Sequence, residues 1–541
     1  MRKINWLLFL VLLFAGFLRF WNLDIYPALN ADEAAIGYNA YSLLETGKDE
    51  HGHSWPIHFQ SFNDYKPGLY FYLVMPFVKI LGLNEWAVRI PGALLGVATV
   101  LIAYQLVNVL FKNRKLSLIA ALFLAISPWH IHFSRGGWEV NVATFFITLG
   151  ILLFFKSLEN KKLLIWSLIS FVLSLYTYHA ARVVVPLLAV GAFLIYGKEI
   201  FKNFRQYIIP IIISFVILLP LIFDFTKGAV GSRAAGVGLF ADLGPLNRIN
   251  EQRGEHSNFS SLIAKSFHNK AVNYGLAFGD NWLKHYHGLF LFLSGDEIQR
   301  NKVPETGQMY LFDILFLFVG LVLISRKLSS EWKFILWWLV TAPMASALTF
   351  QSPHALRAQN MVIPLVVISA FGFLHIFNWI KSVSFKNVKV IIASLLVIFM
   401  VWQVARYQHM YWAHMSKEYP FSSQYGVKEL VSYVSEKGKE YNKVLVTNRY
   451  DQPYILFLFY LKYSPAQFQK DHNLTSKDSY GFSTVNYFDK YSFATIVYDE
   501  AIPDNPNSLI VGTPEEITKE ANIIKDIYGT NRYKYFRVVA N

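Results

Sequence analysis

Leu18-Arg19-Phe20-Trp21-Asn22 ends an apolar run that opens at residue 4, and Asn30-Ala31-Asp32-Glu33-Ala34-Ala35 lies in the loop that follows. Arg2 and Lys3 ahead of the run have the charge order of a secretory leader. No small-x-small cleavage site follows it, so the run reads as a retained first membrane helix. A carboxylate beside a bilayer is costly unless it faces water, a partner or a substrate. Asp32 and Glu33 stand there together, with Asp64 and Lys66 further along the same loop. This grouping reads as an active site at a membrane surface.

The rest of the chain agrees with a membrane setting. Its 541 residues are 54% hydrophobic and 16% charged, whereas soluble proteins carry roughly a quarter charged residues. Apolar segments of about 20 residues, the length that spans a bilayer, recur down the first three quarters. The net charge of +14 does not mark a nucleic-acid binder, because the basic residues cluster in short loops between apolar segments. Cysteine is absent, which removes disulfides, thiolate metal sites and a cysteine nucleophile.

The expected spans are 4–20, 88–111, 116–134, 140–156, 163–178, 183–197, 206–224, 309–325, 332–350, 358–378 and 388–407. With the N-terminus inside, the inner connections carry Lys112, Arg114 and Lys115, then Lys156, Lys161 and Lys162, then Lys198, Lys202 and Arg205. Arg326, Lys327, Lys333, Lys381, Lys386 and Lys389 continue the series, while the short outer turns carry only Arg135, Arg182 and Arg357. That bias orients the chain by the positive-inside rule. The expected fold class is therefore a polytopic α-helical membrane protein of eleven spans, with the N-terminus cytoplasmic and the C-terminus outside. Residues 1–410 form its membrane domain, with large outer loops at 21–87 and 225–308. Within the first loop, 67–82 is apolar but short and aromatic, suited to lying along the interface. The second loop opens with Gly-rich Lys227-Gly228-Ala229-Val230-Gly231-Ser232-Arg233, which reads as mobile.

After about residue 410 the chain turns polar. Strand-like runs at 443–447, 493–498 and 509–511 alternate with helical stretches near 424–437 and 514–527. This predicts a small extracytoplasmic α/β domain over 411–541. No Gly-rich phosphate fingerprint follows a strand, so it receives no chemistry.

Asp32 is the first candidate for catalysis, with Glu33 beside it. Group transfer to a hydroxyl or amine needs a base for the acceptor's proton, and a partly buried carboxylate serves. The structural alternative is that Asp32 and Glu33 cap a helix starting near Ala34. Lys66, in Asn63-Asp64-Tyr65-Lys66-Pro67, sits where Pro67 starts a helix, and an ammonium beside exposed N–H groups attracts phosphate. Its structural alternative is a lysine snorkelling to headgroups. Three outer turns each hold a His and an Arg: Trp129–Arg135 with Glu139 beyond it, Tyr178–Arg182, and Ser352–Arg357. Arg135, His179, Arg182, His354 and Arg357 are thus candidates for one anion-binding chamber. His51, His53 and His58 are the one metal alternative, and their spacing matches no strong ligand pattern, so no metal site is assigned.

Asp32-Glu33-Ala34, Gly52-His53-Ser54-Trp55-Pro56, Lys66-Pro67-Gly68-Leu69-Tyr70 and Arg89-Ile90-Pro91-Gly92-Ala93-Leu94-Leu95-Gly96 follow one another at intervals that resemble the protein O-mannosyltransferase and aminoarabinose transferase superfamily of GT-C glycosyltransferases. Ser127-Pro128-Trp129 through Arg135, Gly295-Asp296 and Pro353-His354-Ala355-Leu356-Arg357 resemble later parts of the same pattern. The likeness spans roughly 1–410 and excludes the tail. It implies an enzyme that takes a sugar from a polyprenyl-phosphate carrier at the outer face of the plasma membrane and passes it, with inversion, to an acceptor. Asp32 matches the family's base and Lys66 its donor-phosphate contact, and Asp64 sits beside that lysine. Two departures stand out: Gly68 replaces a second proline, and Tyr65 replaces an acidic residue before the lysine.

The implied partners are the polyprenyl-phosphate-linked sugar, membrane lipids and an acceptor protein, lipid or glycan, with no nucleic acid. No cofactor is required, because one carboxylate base with a lysine needs none; a divalent metal stays open. The rival from another class is a transporter or lipid flippase. Such a protein places ionisable groups near the midplane on discontinuous helices, often in inverted repeats, whereas here they gather at one face. A receptor with a ligand-binding tail is a further rival. Sugar and acceptor are not read from the sequence.

Overall fold

The computed structural model describes residues 6–541, apart from Asn63, Asn203, 227–237, Phe421, Ser423, 477–482, 530–531 and the side chain of Asp64. The Gly-rich 227–233 stretch therefore lies outside the described residues. The chain divides into two compact units. One comprises Met1–Arg19, Leu94–Ser134 and Glu139–Gln408; the other comprises Phe20–Ala93, Arg135–Trp138 and His409–Asn541. The first outer loop thus groups with the tail, where the sequence placed a boundary near 410.

Among the described residues, six helices are long and apolar enough to cross a membrane: Glu85–Phe111, Glu139–Ser157, Ala181–Lys202, Arg205–Thr226, Gln359–Ser382 and Lys386–Glu418. A seventh span forms if Arg114–Ile126 and Pro128–Ser134, bent by 57°, are taken together. Trp6–Phe20, Leu69–Leu81 and Leu163–Leu175 are shorter apolar helices. The expected 332–350 span is interrupted, with helices at Ser330–Thr341 and Met344–Ala347 flanking Pro343. A proline lacks the N–H that would continue the ladder.

The bend at Ser127 has the same origin. Pro128 disfavours the helical region for the residue before it, and Ser127 sits at φ −55° and ψ 125°. Carbonyls freed at such a break need donors in an apolar setting. Arg19 supplies them: its guanidinium donates to Ala125 O at 3.0 Å, Leu124 O at 3.4 Å and Ala15 O at 3.1 Å. His130 Nδ1 lies 2.8 Å from the same group. An arginine inside an apolar helix is thereby wholly buried. Elsewhere in this unit helices close on small residues. A Cβ on Gly372 would stand 1.9 Å from Phe316 O, so helices Phe312–Arg326 and Val362–Ser382 meet backbone to backbone.

The second unit joins a short hairpin, β1 (His58–Ser61) and β2 (Asp64–Pro67), to a larger sheet. That sheet comprises β3 (Lys443–Thr447), β4 (Asn473–Leu474), β5 (Val485–Phe488), β6 (Tyr491–Ala494), β7 (Ser508–Gly512), β8 (Ile523–Tyr528) and β9 (Lys534–Ala540), in the order β4-β5-β6-β3-β7-β9-β8. Central β3 runs parallel to β6 and β7, and the outer pairs are antiparallel. Leu445, Ile510 and Val539 share a core with Ile496, Ala501 and Ile517. The expected helix at 514–527 is corrected: its second half is strand β8, paired with β9. Asp526 on β8 meets Lys534 at 2.6 Å and Arg537 at 3.5 Å. Cross-strand pairing of this kind outweighs local helix propensity.

Helix Val427–Lys437 falls within the expected 424–437 stretch. Helix Pro453–Leu461, Pro-Tyr-Ile-Leu-Phe-Leu-Phe-Tyr-Leu, is buried along nearly its whole length. It packs against helix Ala31–Thr46, the element that carries the acidic pair.

Candidate active site

Helix Ala31–Thr46 begins with a capping box. Asn30 Oδ1 accepts the Glu33 N–H at 3.0 Å, and Glu33 Oε2 accepts the Asn30 N–H at 3.2 Å. Two of the N–H groups that a helix start leaves open are thus satisfied reciprocally. Asp32 falls in this first turn, where the helix dipole favours negative charge.

The β1–β2 hairpin brings Lys66 to it. Lys66 pairs with Phe59 across the ladder, and its Nζ donates to Asp32 Oδ1 at 2.5 Å. The ammonium also lies 5.1 Å from the centre of the Phe62 ring. The Asp32 side chain is 22% exposed and that of Lys66 10%. The pair is therefore reachable, yet largely enclosed.

Glu33, the second acid of the pair, takes a buried framework position. Its Oε1 accepts Arg89 Nε at 2.7 Å and the Gly137 N–H at 2.8 Å, while Oε2 accepts Arg89 Nη2 at 2.7 Å and Asn30 Nδ2 at 3.1 Å. With these bonds and 1% exposure, it has no lone pair open to a substrate. Arg89 in turn donates to Leu23 O at 2.8 Å, Pro27 O at 2.9 Å and Ala28 O at 3.2 Å. The Asn30-x-x-Glu33 spacing was the sequence signal for this role.

Arg135, expected in the anion-binding set, is held by framework contacts. It is 1% exposed, and it donates to Trp21 O at 2.8 Å, Tyr26 O at 3.1 Å and the Tyr411 hydroxyl at 3.0 Å. Its guanidinium packs 4.7 Å from the Trp412 ring centre. Asp64 contributes its backbone to β2, and its side chain lies outside the described residues.

The remaining candidates belong to the other unit, where each turn has its own partners. His179 Nδ1 stands 2.7 Å from Arg182 Nη1, and Arg182 lies over Phe225 at 4.7 Å. Arg357 donates to Thr349 Oγ1 at 2.7 Å. His354 Nδ1 lies 3.7 Å from Asp296 Oδ2, and its backbone N–H donates to His285 Nε2 at 3.2 Å. Asp296, which was not among the assigned candidates, is wholly buried and also accepts Asn301 Nδ2 at 3.0 Å and the Ala355 N–H at 2.6 Å. Burial raises its carboxyl above the usual value against the pull of these donors.

A second missed residue is Glu50. It is fully buried. Asn39 Nδ2 donates to its Oε1 at 3.2 Å, its own N–H donates back to Asn39 Oδ1 at 2.9 Å, and the Tyr454 hydroxyl lies 3.5 Å from Oε2. Burial pushes its carboxyl up to about 8, although the Asn39 bond and the positive charge of Lys66 draw it down. No local pattern in Lys48-Asp49-Glu50 signals this, since the burial comes from helix Pro453–Leu461 hundreds of residues away.

His53 Nδ1 lies 3.1 Å from Asp49 Oδ2, the His51 ring is tilted against that of His472 at 5.5 Å, and His58 occupies β1. Among the described residues no three His, Cys, Asp or Glu side chains converge as a metal site would require.

Residues 65–223 match the family model described as dolichyl-phosphate-mannose-protein mannosyltransferase. An uncharacterized protein of Aquifex aeolicus is 30% identical over 179 residues, 33% of this chain and 35% of that protein. Two Bacillus subtilis proteins whose names provisionally assign them as mannosyltransferases are also similar. YkcB is 26% identical over 174 residues, covering 31% of this chain and 23% of its own length. YycA is 32% identical over 108 residues, covering 20% and 16%. The matched stretches thus span about a third or less of these relatives.

Likeness of fold extends much further. ArnT from Cupriavidus metallidurans, solved with undecaprenyl phosphate, superposes with a TM-score of 0.55 at 11% identity, over 99% of this chain and 98% of that one. The Archaeoglobus fulgidus oligosaccharyltransferase AglB, solved with an inhibitory peptide and a dolichol-phosphate, gives 0.51 at 12% identity, over 85% and 64%. The chain thus shares the fold of ArnT and AglB.

Proposed function

We propose that this protein transfers a sugar from a polyprenyl-phosphate carrier to a hydroxyl or amine acceptor, with Asp32 as the base and Lys66 as the donor-phosphate contact. The observation that carries the reading is the Asp32–Lys66 pair, closed at 2.5 Å and partly open to solvent. It stands on a helix start fixed by the Glu33–Arg89 pair. Rigid support of this kind is what positioned catalysis requires.

The two groups hold each other until substrate arrives. The donor phosphate competes for the Lys66 ammonium through charge-assisted hydrogen bonds, and this frees the Asp32 carboxylate. The acceptor oxygen or nitrogen then attacks the anomeric carbon from the face opposite the carrier. Its bond to that carbon forms as the carbon–oxygen bond to phosphate breaks, so configuration inverts. The acceptor proton goes to Asp32, and the carrier leaves as polyprenyl phosphate without needing a general acid. With Arg135 spent on the frame, the phosphate contact rests on Lys66. This scheme calls on no metal.

The charge distribution supports a multi-pass plasma-membrane protein with its N-terminus cytoplasmic. The site and the C-terminal domain then face outward, in an arrangement of eleven spans. The ligands of the solved neighbours support a lipid-phosphate donor of polyprenyl type. Acceptors of this class are proteins, lipids or glycans.

The test is consumption of labelled polyprenyl-phosphate sugars by the full-length protein in detergent or vesicles. The wild type should release polyprenyl phosphate in step with product. Asp32→Asn, which keeps the shape and removes the base, should lose about 10²–10⁴ in turnover. Near-normal turnover in that variant overturns the role of Asp32, and an inactive wild type across a panel of hexose and pentose donors overturns the transferase reading.

A further inference from the structure

The tail received no chemistry from its sequence, yet it grips the Asp32 helix at several points. At the helix start, Gln424 Oε1 accepts the Ala31 N–H at 2.5 Å, and its Nε2 donates to Asp451 O. At mid-helix, a Cβ on Gly37 would stand 2.6 Å from Phe459 Cε2, and the Tyr38 hydroxyl donates to Tyr463 O at 3.1 Å. At the far end, Gln469 Nε2 lies 3.1 Å from Ser42 Oγ, 3.0 Å from Thr46 Oγ1 and 2.8 Å from Asp49 O.

The first of these contacts is the one next to the chemistry. Helix starts leave N–H groups without intrahelical partners. The Asn30–Glu33 box satisfies the Glu33 and Asn30 N–H groups, and the Ala31 N–H goes to Gln424. Asp32 is therefore bracketed in sequence: Ala31 before it is bound by the tail, and Glu33 after it is bound by Arg89. A backbone fixed on both sides leaves the Asp32 side chain few places to stand.

We infer that Gln424 is a positioning residue for Asp32, and that the C-terminal segment serves the transfer reaction by setting the Asp32 helix in register. This rests on the transferase reading for its catalytic half alone. The attachment itself stands on the geometry. Misplacement of a catalytic group by about 1 Å costs as much as a hundredfold in rate, so a bond to the neighbouring amide is enough to matter.

Two measurements on the full-length protein test it. Hydrogen–deuterium exchange should quicken at least tenfold over residues 31–34 in Gln424→Met, with 38–46 and the tail sheet unchanged. Gln424→Glu, which keeps an acceptor for the Ala31 N–H, should restore most of the protection. In the donor-consumption assay, Gln424→Met should lower kcat about tenfold with donor KM within twofold, and Gln424→Glu should recover most of that loss. Unchanged exchange over 31–34 overturns the inference whether or not the protein is active. Unchanged kcat in an active enzyme overturns it as well, as does a fall that only tracks the amount of folded protein. An inactive wild type with the expected exchange pattern overturns the transferase reading and leaves the attachment standing.

Discussion

Glu33 and Arg89 meet through two hydrogen bonds of 2.7 Å, fully buried, one residue along from a carboxylate that stays partly exposed. Adjacent acids in one helical turn thus do different work. Asp32 turns to Lys66 and solvent, whereas Glu33 turns inward and ties the helix start to residues 23–28 through Arg89. The division predicts that the two acids separate cleanly on substitution.

Glu33→Gln should destabilise the protein by about 3–5 kcal/mol, because it leaves the Arg89 charge buried and unpaired. Asp32→Asn should cost less than Glu33→Gln, since its amide oxygen still accepts from Lys66 and its side chain is 22% exposed. Thermal unfolding of both variants in one detergent checks this. Equal midpoints for Glu33→Gln and the wild type would refute the framework role.

Lys66→Met should raise the donor KM by about ten- to a hundredfold, the worth of one charge-assisted hydrogen bond of roughly 1.5–3 kcal/mol. Lys66→Arg should recover part of that, because it keeps the charge while changing the donor geometry. Initial rates against donor concentration decide it. A KM unchanged in Lys66→Met would remove the phosphate from this lysine.

What the sequence disclosed followed from how local each signal was. Apolar run length and the strand-like run Lys443-Val444-Leu445-Val446-Thr447 are properties of a few neighbouring residues, whereas the break at Pro128 falls inside the expected 116–134 span. Lys66 and Asp32 were each legible as types in a loop, but their contact depends on the β1–β2 hairpin. The capping half of Glu33's role has a local signal in the Asn30-x-x-Glu33 spacing, but its tie to Arg89 and Gly137 was hidden because they lie 56 and 104 residues away. The burial of Glu50 and the grip of Gln424 were hidden for the same reason. Residues 514–527 misled because their composition favours helix while the ladder with β9 needs strand over Ile523–Tyr528.

The contact at Gly37 can be tested by overpacking. Gly37→Ala places a methyl 2.6 Å from Phe459 Cε2 and 2.7 Å from Val88 Cγ2, a change expected to cost about 1–3 kcal/mol. Truncating Phe459 alone should cost about 3–5 kcal/mol through the cavity it leaves. Residues in contact couple in such cycles, so Gly37→Ala should cost less in a Phe459→Ala background. Strictly additive unfolding energies would mean the helix and the tail do not press on each other there.

Glu50 gives the protein a stability that declines with rising pH. Its carboxyl in the folded state is pushed up to about 8 from an ordinary value of 4.5, chiefly by burial. Below pH 4.5 both folded and unfolded chains hold the proton, so this group's favourable contribution is fully present. Between 4.5 and 8 the unfolded chain loses the proton and the folded chain keeps it, so unfolding gains ground as pH rises. Asn39, Tyr454 and Lys66 favour ionisation, but burial, helped by Asp49, outweighs them and leaves the neutral form ahead near neutrality. His51 sets the opposite limb: burial holds its imidazole down to about 3, so its contribution is present above pH 6.5 and is lost as pH falls toward 3. Glu50→Gln mimics the protonated side chain and should flatten only the upper limb. Its unfolding midpoint should exceed that of the wild type at pH 8, and the gap should narrow at pH 6 and close by pH 4.5. A gap that fails to widen between pH 5 and 8 would mean that Glu50 is ionised where it sits.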